Sequence, residues 1–229
     1  MATVRAIVQP IDTNVSLTEK AYHALRQAIA SMNIYAEPEE LRLDERQLSN
    51  DLKVSRTPIR EAIARLEQEG FVRIVPRRGV YVVRKTKREI LETITVWAAL
   101  ESMAARLITL HASDSHIASL RTMFATFEDN QARARIDEYS EANIRFHQAI
   151  LSMSGCELLN AMAENLFVHV RSIRMRTISE NDRARRSIID HMNIIEAIER
   201  RDTELAERLV RQHTLDLAAH VERNVHYLD

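Results

Sequence analysis

The chain has 229 residues, with 32 Lys and Arg against 33 Asp and Glu, so its formal net charge is −1. This length carries one large domain or two small ones. A single cysteine, Cys156, excludes an intrachain disulfide and fits a reducing cytosol, and the lack of a long apolar run excludes an ordinary membrane span.

The opening MATVRAIVQPIDTNVSL has no secretion-signal core, and residues 1–15 read as a flexible arm. A helix is predicted over Thr18–Met32, with Ala21, Leu25, Ala28 and Ile29 on one face and Ser16 or Thr18 as its cap. Tyr22 and Arg26 are left facing either a ligand or solvent. Tyr35–Glu40 is a connecting loop. Glu45–Leu52 is a short helix with Leu48 and Leu52 on one face, and Lys53-Val54 turns the chain. A second helix follows, capped by Ser55 or Thr57, with Pro58 in its first turn and Ile59, Ile63 and Leu66 as its apolar stripe. Gly70 stands where a left-handed C-terminal cap is needed. Phe71–Val75 and Val80–Val83 are β-branched and aromatic, hence strands, around the turn Pro76-Arg77-Arg78-Gly79.

Helix, turn, helix and a two-stranded wing is the order of a winged helix-turn-helix. Arg56, Thr57 and Arg60 cluster at the start of the second helix, the end that enters a major groove in such units. By itself this cluster also reads as a solvated charged face, and the turn as a basic surface turn. Residues 55–85 hold eight Lys and Arg against three Asp and Glu, a local excess suited to phosphate. Residues 1–85 hold 14 basic and 11 acidic side chains, and residues 86–229 hold 18 and 22. The DNA-facing charge is therefore placed in the first part.

LDERQLSNDLKVSRTPIREAIARLEQEG followed by RRGVYV resembles the DNA-binding domain of the GntR superfamily of bacterial transcription regulators. The resemblance covers residues 15 to 85 or so. It implies that Arg46 holds a phosphate or base, that Ser55, Arg56, Thr57 and Arg60 are recognition-helix contacts, and that Arg78 and Gly79 form the wing tip.

All four prolines lie at or before Pro76, and after Gly79 only Gly155 remains. The rest is predicted as helices near 87–110, 114–131, 136–153, 157–179, 183–201 and 203–227, joined by short loops as in an antiparallel bundle. The expected division is an arm over 1–15, a winged helix-turn-helix over 16–85 and a helical domain over 86–229. Cys156 reads as a small buried filler rather than a reactive thiol.

Asn143 and His147 are four apart, on one helix face, with His191 and His213 on later helices. Three imidazoles from three helices suit zinc, nickel or a related ion. Scattered surface or core histidines are the plainer reading of the same residues. LESMAARL, RFHQAILSMSGCELL, DHMNIIEAI and AERLVRQH resemble the FCD effector domain of FadR-like GntR regulators. That resemblance implies a divalent metal on His147, His191 and His213, with Asn143 where Asp is usual. An amide offers only a dipole where a carboxylate neutralises charge, so a weaker metal site is expected. Trp97 stands where relatives often carry arginine, giving a more aromatic effector pocket. Arg106, Arg171 and Arg174 are candidate partners for an effector carboxylate.

The fold class expected is therefore mainly α, a winged helix-turn-helix plus an antiparallel FCD-type bundle. The function expected is a cytoplasmic homodimeric repressor that binds a short palindromic DNA operator and answers to a small organic acid near a divalent metal. No membrane partner is expected. Two alternatives stand beside it. One is a metal-dependent hydrolase or lyase with Glu196 as base; the other is a constitutive DNA binder with a non-functional pocket.

Overall fold

A computed structural model describes residues 16–36, 40–125, 127, 135–180 and 182–228. The expected arm over 1–15 and the last part of the helix expected over 114–131 lie outside these residues. The described residues form two compact units. Among them, one unit holds the residues from Ser16 to Ile29 and from Leu41 to Val83, and the other holds Ala30 to Ala36, Glu40 and the described residues from Arg84 onward.

In the first unit, α1 (Leu17–Ser31) starts at Ser16, whose Oγ accepts from the Glu19 N–H at 3.1 Å. Its buried face is Ala21, Tyr22, Leu25 and Ile29, while Ala28 is exposed. Tyr22 is thus a core residue rather than one facing solvent or DNA. Its hydroxyl donates to Glu69 at 2.7 Å, and the Arg65 guanidinium covers its ring at 3.7 Å. Helix α2 (Glu45–Leu52) is capped by Asp44, which accepts from two backbone N–H groups, and ends on Lys53 in the left-handed region at φ 54. Helix α3 (Arg56–Gln68) buries Pro58, Ile59, Ala62, Ile63 and Leu66. Gly70, at φ 79, makes the left-handed turn after it.

The sheet has three strands, β1 (Arg42–Leu43), β2 (Val72–Val75) and β3 (Gly79–Val82), in the order β1-β3-β2 and antiparallel throughout. Strand β1 was not expected, because two residues are too few to show a period. It adds an edge to the wing, with Arg42 opposite Tyr81 and Leu43 opposite Val80.

The second unit consists of α4 (Lys87–His111), α5 (Asp114–Thr122), α6 (Ile136–Met153), α7 (Glu157–Thr177), α8 (Arg183–Glu199) and α9 (Thr203–Asn224). Helix α4 opens on a capping box in which the Thr86 and Glu89 side chains bond each other's backbone N–H. By length and composition it could cross a membrane. Its Ile90, Ile94, Trp97, Ala98, Ala104, Ala105 and Ile108 instead lie within the bundle, where α9 and α4 make the most extensive helix pair. Helix α5 ends at Thr122, short of the expected span. Cys156 is half-buried at the N-cap of α7 rather than a fully buried filler.

Ala30–Glu40 belongs to the helical unit for a chemical reason. Tyr35 is fully buried, its hydroxyl lies 2.8 Å from His169 Nδ1, and it also accepts from the Lys85 N–H. Arg171 Nη1 donates to the Ser31 carbonyl at 3.0 Å, Ser172 to Met32 and Arg176 to Ala36. Helix α7 therefore clasps the strip of chain that follows α1.

Candidate functional site

Two sites emerge, one on each unit. On the first unit, Arg46, Ser55, Arg56, Thr57, Arg60 and Arg78 are all exposed. Ser55 is the N-cap of α3, yet its hydroxyl makes no capping bond and is left for another partner. Arg56, Thr57 and Arg60 occupy the first turn or so of that helix. Arg60 Nε donates to Glu45 at 2.8 Å, which ties the start of α3 to the start of α2, where Arg46 lies. This exposed pair is worth little stability, so Arg60 can exchange partners at small cost.

At the wing tip, Arg77 has φ 65 and Gly79 has φ 121. A Cβ on Gly79 would lie 2.8 Å from Arg42 Nε, so the glycine makes room for the Arg42 guanidinium. Arg73 adds a cation over the Tyr81 ring at 5.1 Å. Arg42 is a member of the wing that sequence reasoning missed, since it sits on the unpredicted strand.

In the second unit, His147 on α6, His191 on α8 and His213 on α9 converge, each with one ring nitrogen within 4.8 Å of the others. All three are buried. His191 Nε2 lies 3.2 Å from His213 Nε2. The opposite nitrogens are held from outside. His213 Nδ1 donates to Asp190 at 3.0 Å, His147 Nδ1 bonds Glu101, and His191 Nδ1 lies 3.4 Å from the Tyr139 hydroxyl. These bonds turn Nε2 of His147 and His213 into bare acceptors. With Tyr139 as acceptor, His191 Nε2 is bare as well, and three lone pairs face one point. Burial pushes all three imidazoles below their ordinary pKa, His147 and His191 well below, and the neutral ring is the form that ligates metal.

The surrounding polar groups are equally enclosed. The Glu101 carboxylate accepts from Trp97 Nε1 at 3.0 Å and from the Thr214 hydroxyl at 2.7 Å, and faces Arg174 at 3.9 Å. Arg174 in turn donates to Thr214 at 3.3 Å. Burial raises the carboxyl of Glu101 and lowers the guanidinium of Arg174, while each opposes that shift in the other. Three groups find no hydrogen-bond partner: both amide atoms of Asn143, His147 Nε2 and Arg174 Nε. Buried polar atoms are seldom left so, and this grouping points to a ligand.

The expected residues divide here. His147, His191, His213, Asn143, Trp97 and Arg174 lie on the inner faces of the bundle, and Trp97 packs on Phe167 with ring centroids 5.9 Å apart. Arg171 does not join them, because it is committed to the carbonyls of Ser31 and Met32. Arg106 pairs with Glu207 at 3.3 Å on a half-exposed face. Glu196, the base of the enzyme alternative, is exposed and bonded to Arg200. Glu101 was missed, although a single acid inside the stripe Ile94, Ala98, Ala105, Ile108 was a visible signal.

Residues 17–82 match the bacterial regulatory proteins of the gntR family, and residues 92–216 match the FCD domain. This chain belongs to the GntR family of bacterial regulators that carry an FCD domain. It is 26% identical over 181 residues to the HTH-type transcriptional repressor RspR of Escherichia coli, covering 79% of each chain. It is 32% identical over 168 residues to an HTH-type transcriptional regulator in the TAR-I ttuE-ttuC' intergenic region of Agrobacterium vitis, 67% of this chain and 94% of that one. The fold is shared with E. coli McbR/YncC at a TM-score of 0.75 and 23% identity, over 93% of this chain and 100% of that one. This GntR–FCD protein is a transcriptional regulator, not an enzyme, and its helix-turn-helix unit is a DNA-binding one.

Proposed function

We propose that this GntR–FCD protein is a dimeric, cytoplasmic repressor whose hold on a short two-fold operator is set by a small organic acid bound beside a divalent metal in the helical unit. The observation that carries this reading is the enclosed set of orphaned polar atoms: His147 Nε2, Arg174 Nε and the Asn143 amide. Repressor names among the relatives, RspR and the E. coli GlaR, support the sign of regulation.

The residues fit a metal. Bonds of about 2.1 Å to imidazole place tetrahedral ligand nitrogens roughly 3.4 Å apart, close to the 3.2 Å between His191 and His213 Nε2. Three neutral nitrogens and an amide oxygen are donors suited to zinc or nickel. A bound ion would supply a fixed positive charge for an effector carboxylate. The protein's own contribution is a second cation, Arg174, and the aromatic wall of Trp97 and Phe167.

Helix α7 gives the signal a route. Arg174 lies on its inner face, and Arg171, Ser172 and Arg176 bond the segment from Ser31 to Ala36 that leads back to α1. An acid that favours one position of α7 biases that strip, and through it the reader, by its differential affinity. Pairing is assigned to α4, whose exposed Val96, Met103 and Leu110 recur every seven residues along one side of the helix.

The test combines elemental analysis of the full-length protein with operator binding in a screen of small acids. Wild type is expected to hold about one metal per chain, and at least one acid to release the operator; His191→Ala is expected to lose the metal and to respond weakly. Full metal occupancy in that variant sinks the site. A proton kept on one of the two Nε2 atoms would make the His191–His213 contact a hydrogen bond and gives a second reading, a metal-free pocket on a constitutive DNA binder. Absence of metal together with indifference to every acid selects it.

A further inference from the structure

A cleft of about 350 Å³ opens between α8 and α9. Arg183, Arg186 and Arg223 line it, with His220, and the His213–Asp190 pair lies along it too. The nearby carboxylates are committed: Asp190 to His213, Asp216 to Gln212 at 2.8 Å, and Glu180 to His220 at 2.7 Å. Arg183 is the telling member. Its Nη1 is buried and has no hydrogen-bond partner. Burial, then repulsion from Arg174 and Arg186, brings its guanidinium down to about 10 against the pull of Glu180. A buried guanidinium N–H is not left without an acceptor at no cost.

We infer that the cleft between α8 and α9, which shares only His213 with the histidine cluster, is an anion site that takes a phosphate group on Arg183 with Arg186 and Arg223 around it. Guanidinium groups suit phosphate because their planar forks meet two oxygens at once. Arg183 Nη1 meets an incoming anion as a donor already removed from water, and the volume admits a small phosphorylated metabolite. The His213–Asp190 pair borders the cleft, so an occupant would touch the residue that orients an imidazole of the metal centre.

The experiment is titration of the full-length protein with inorganic phosphate, followed by 31P NMR and by thermal melting, with acetate as the single-charge control. Wild type is expected to bind phosphate and to melt higher in its presence. Arg183→Met is expected to weaken binding roughly tenfold or more, the worth of a charged hydrogen bond, while folding as wild type does. Arg223→Gln, at an exposed position, should weaken it less and guards against a folding defect in the first variant. Wild type treated with a chelator should bind phosphate as untreated protein does, which separates this cleft from the metal centre. Ethyl phosphate run alongside tells a phosphoester from free phosphate, since either requires the same arginines. Phosphate binding unchanged in Arg183→Met, abolished by the chelator, or matched by acetate overturns the proposal.

Discussion

Arg56 is exposed at the first turn of α3, away from the buried face of that helix. Arg56→Ala should therefore leave the melting temperature unchanged while costing ~1–3 kcal/mol of specific DNA affinity. Fluorescence anisotropy on a selected operator and on a scrambled duplex reads this directly; equal loss on both would make Arg56 a phosphate contact rather than a base contact. Asn143 is the opposite kind of residue, buried at 1% exposure with neither amide atom partnered. Asn143→Asp adds a carboxylate beside three neutral imidazoles. It should slow metal loss to a chelator by a factor on the order of ten, while destabilising the metal-free protein, because the new charge is then buried without a counter-ion.

At the scale of an element, α7 combines two duties. One face bears Arg174, and the other clasps the strip from Ser31 to Ala36. The clasp is acid-sensitive through His169, which burial brings down to about 3. Its folded pKa lies below the unfolded value near 6.5, so the neutral ring stabilises the fold above that value. This contribution falls as pH drops from 6.5 towards 3. Between pH 7 and pH 5 the loss comes to about 2 kcal/mol. His169→Gln keeps an acceptor for Tyr35 without the titration, so its stability should fall less over the same interval. Parallel denaturation curves at the two pH values would refute this if wild type and variant lost equal stability.

For the whole molecule, the decisive expectation is pairing. Met103 stands in the middle of the exposed α4 stripe, 45% exposed, where a charge disturbs no core. Met103→Glu should give a folded monomer by sedimentation, with affinity for a two-half-site operator reduced to that for a single half-site. A variant that stays dimeric removes α4 from the interface. The enzyme alternative does not survive at this scale: the chain is a transcriptional regulator by family, and Glu196 is turned outward, bonded to Arg200.

What the sequence determined by itself was whatever is local in the chain. Helices α2 and α6 end where their periodicity and turn signals place them, and Gly70 takes the left-handed turn expected of it. The order ERQLS, SRTPIREA, LEQEG carried the reader because its parts are adjacent in sequence. The tertiary structure decided which distant groups spend themselves on one another. Arg171 and Arg174 are three residues apart on one helix, yet the first bonds the carbonyls of Ser31 and Met32 and the second is buried facing Glu101. Glu101, Asp190 and Tyr139 each orient a histidine far from them in sequence or on another helix, and Ala30–Glu40 joined the helical unit because Tyr35 found His169. Spacing along a chain reports which face a residue occupies; only packing reports what that face meets.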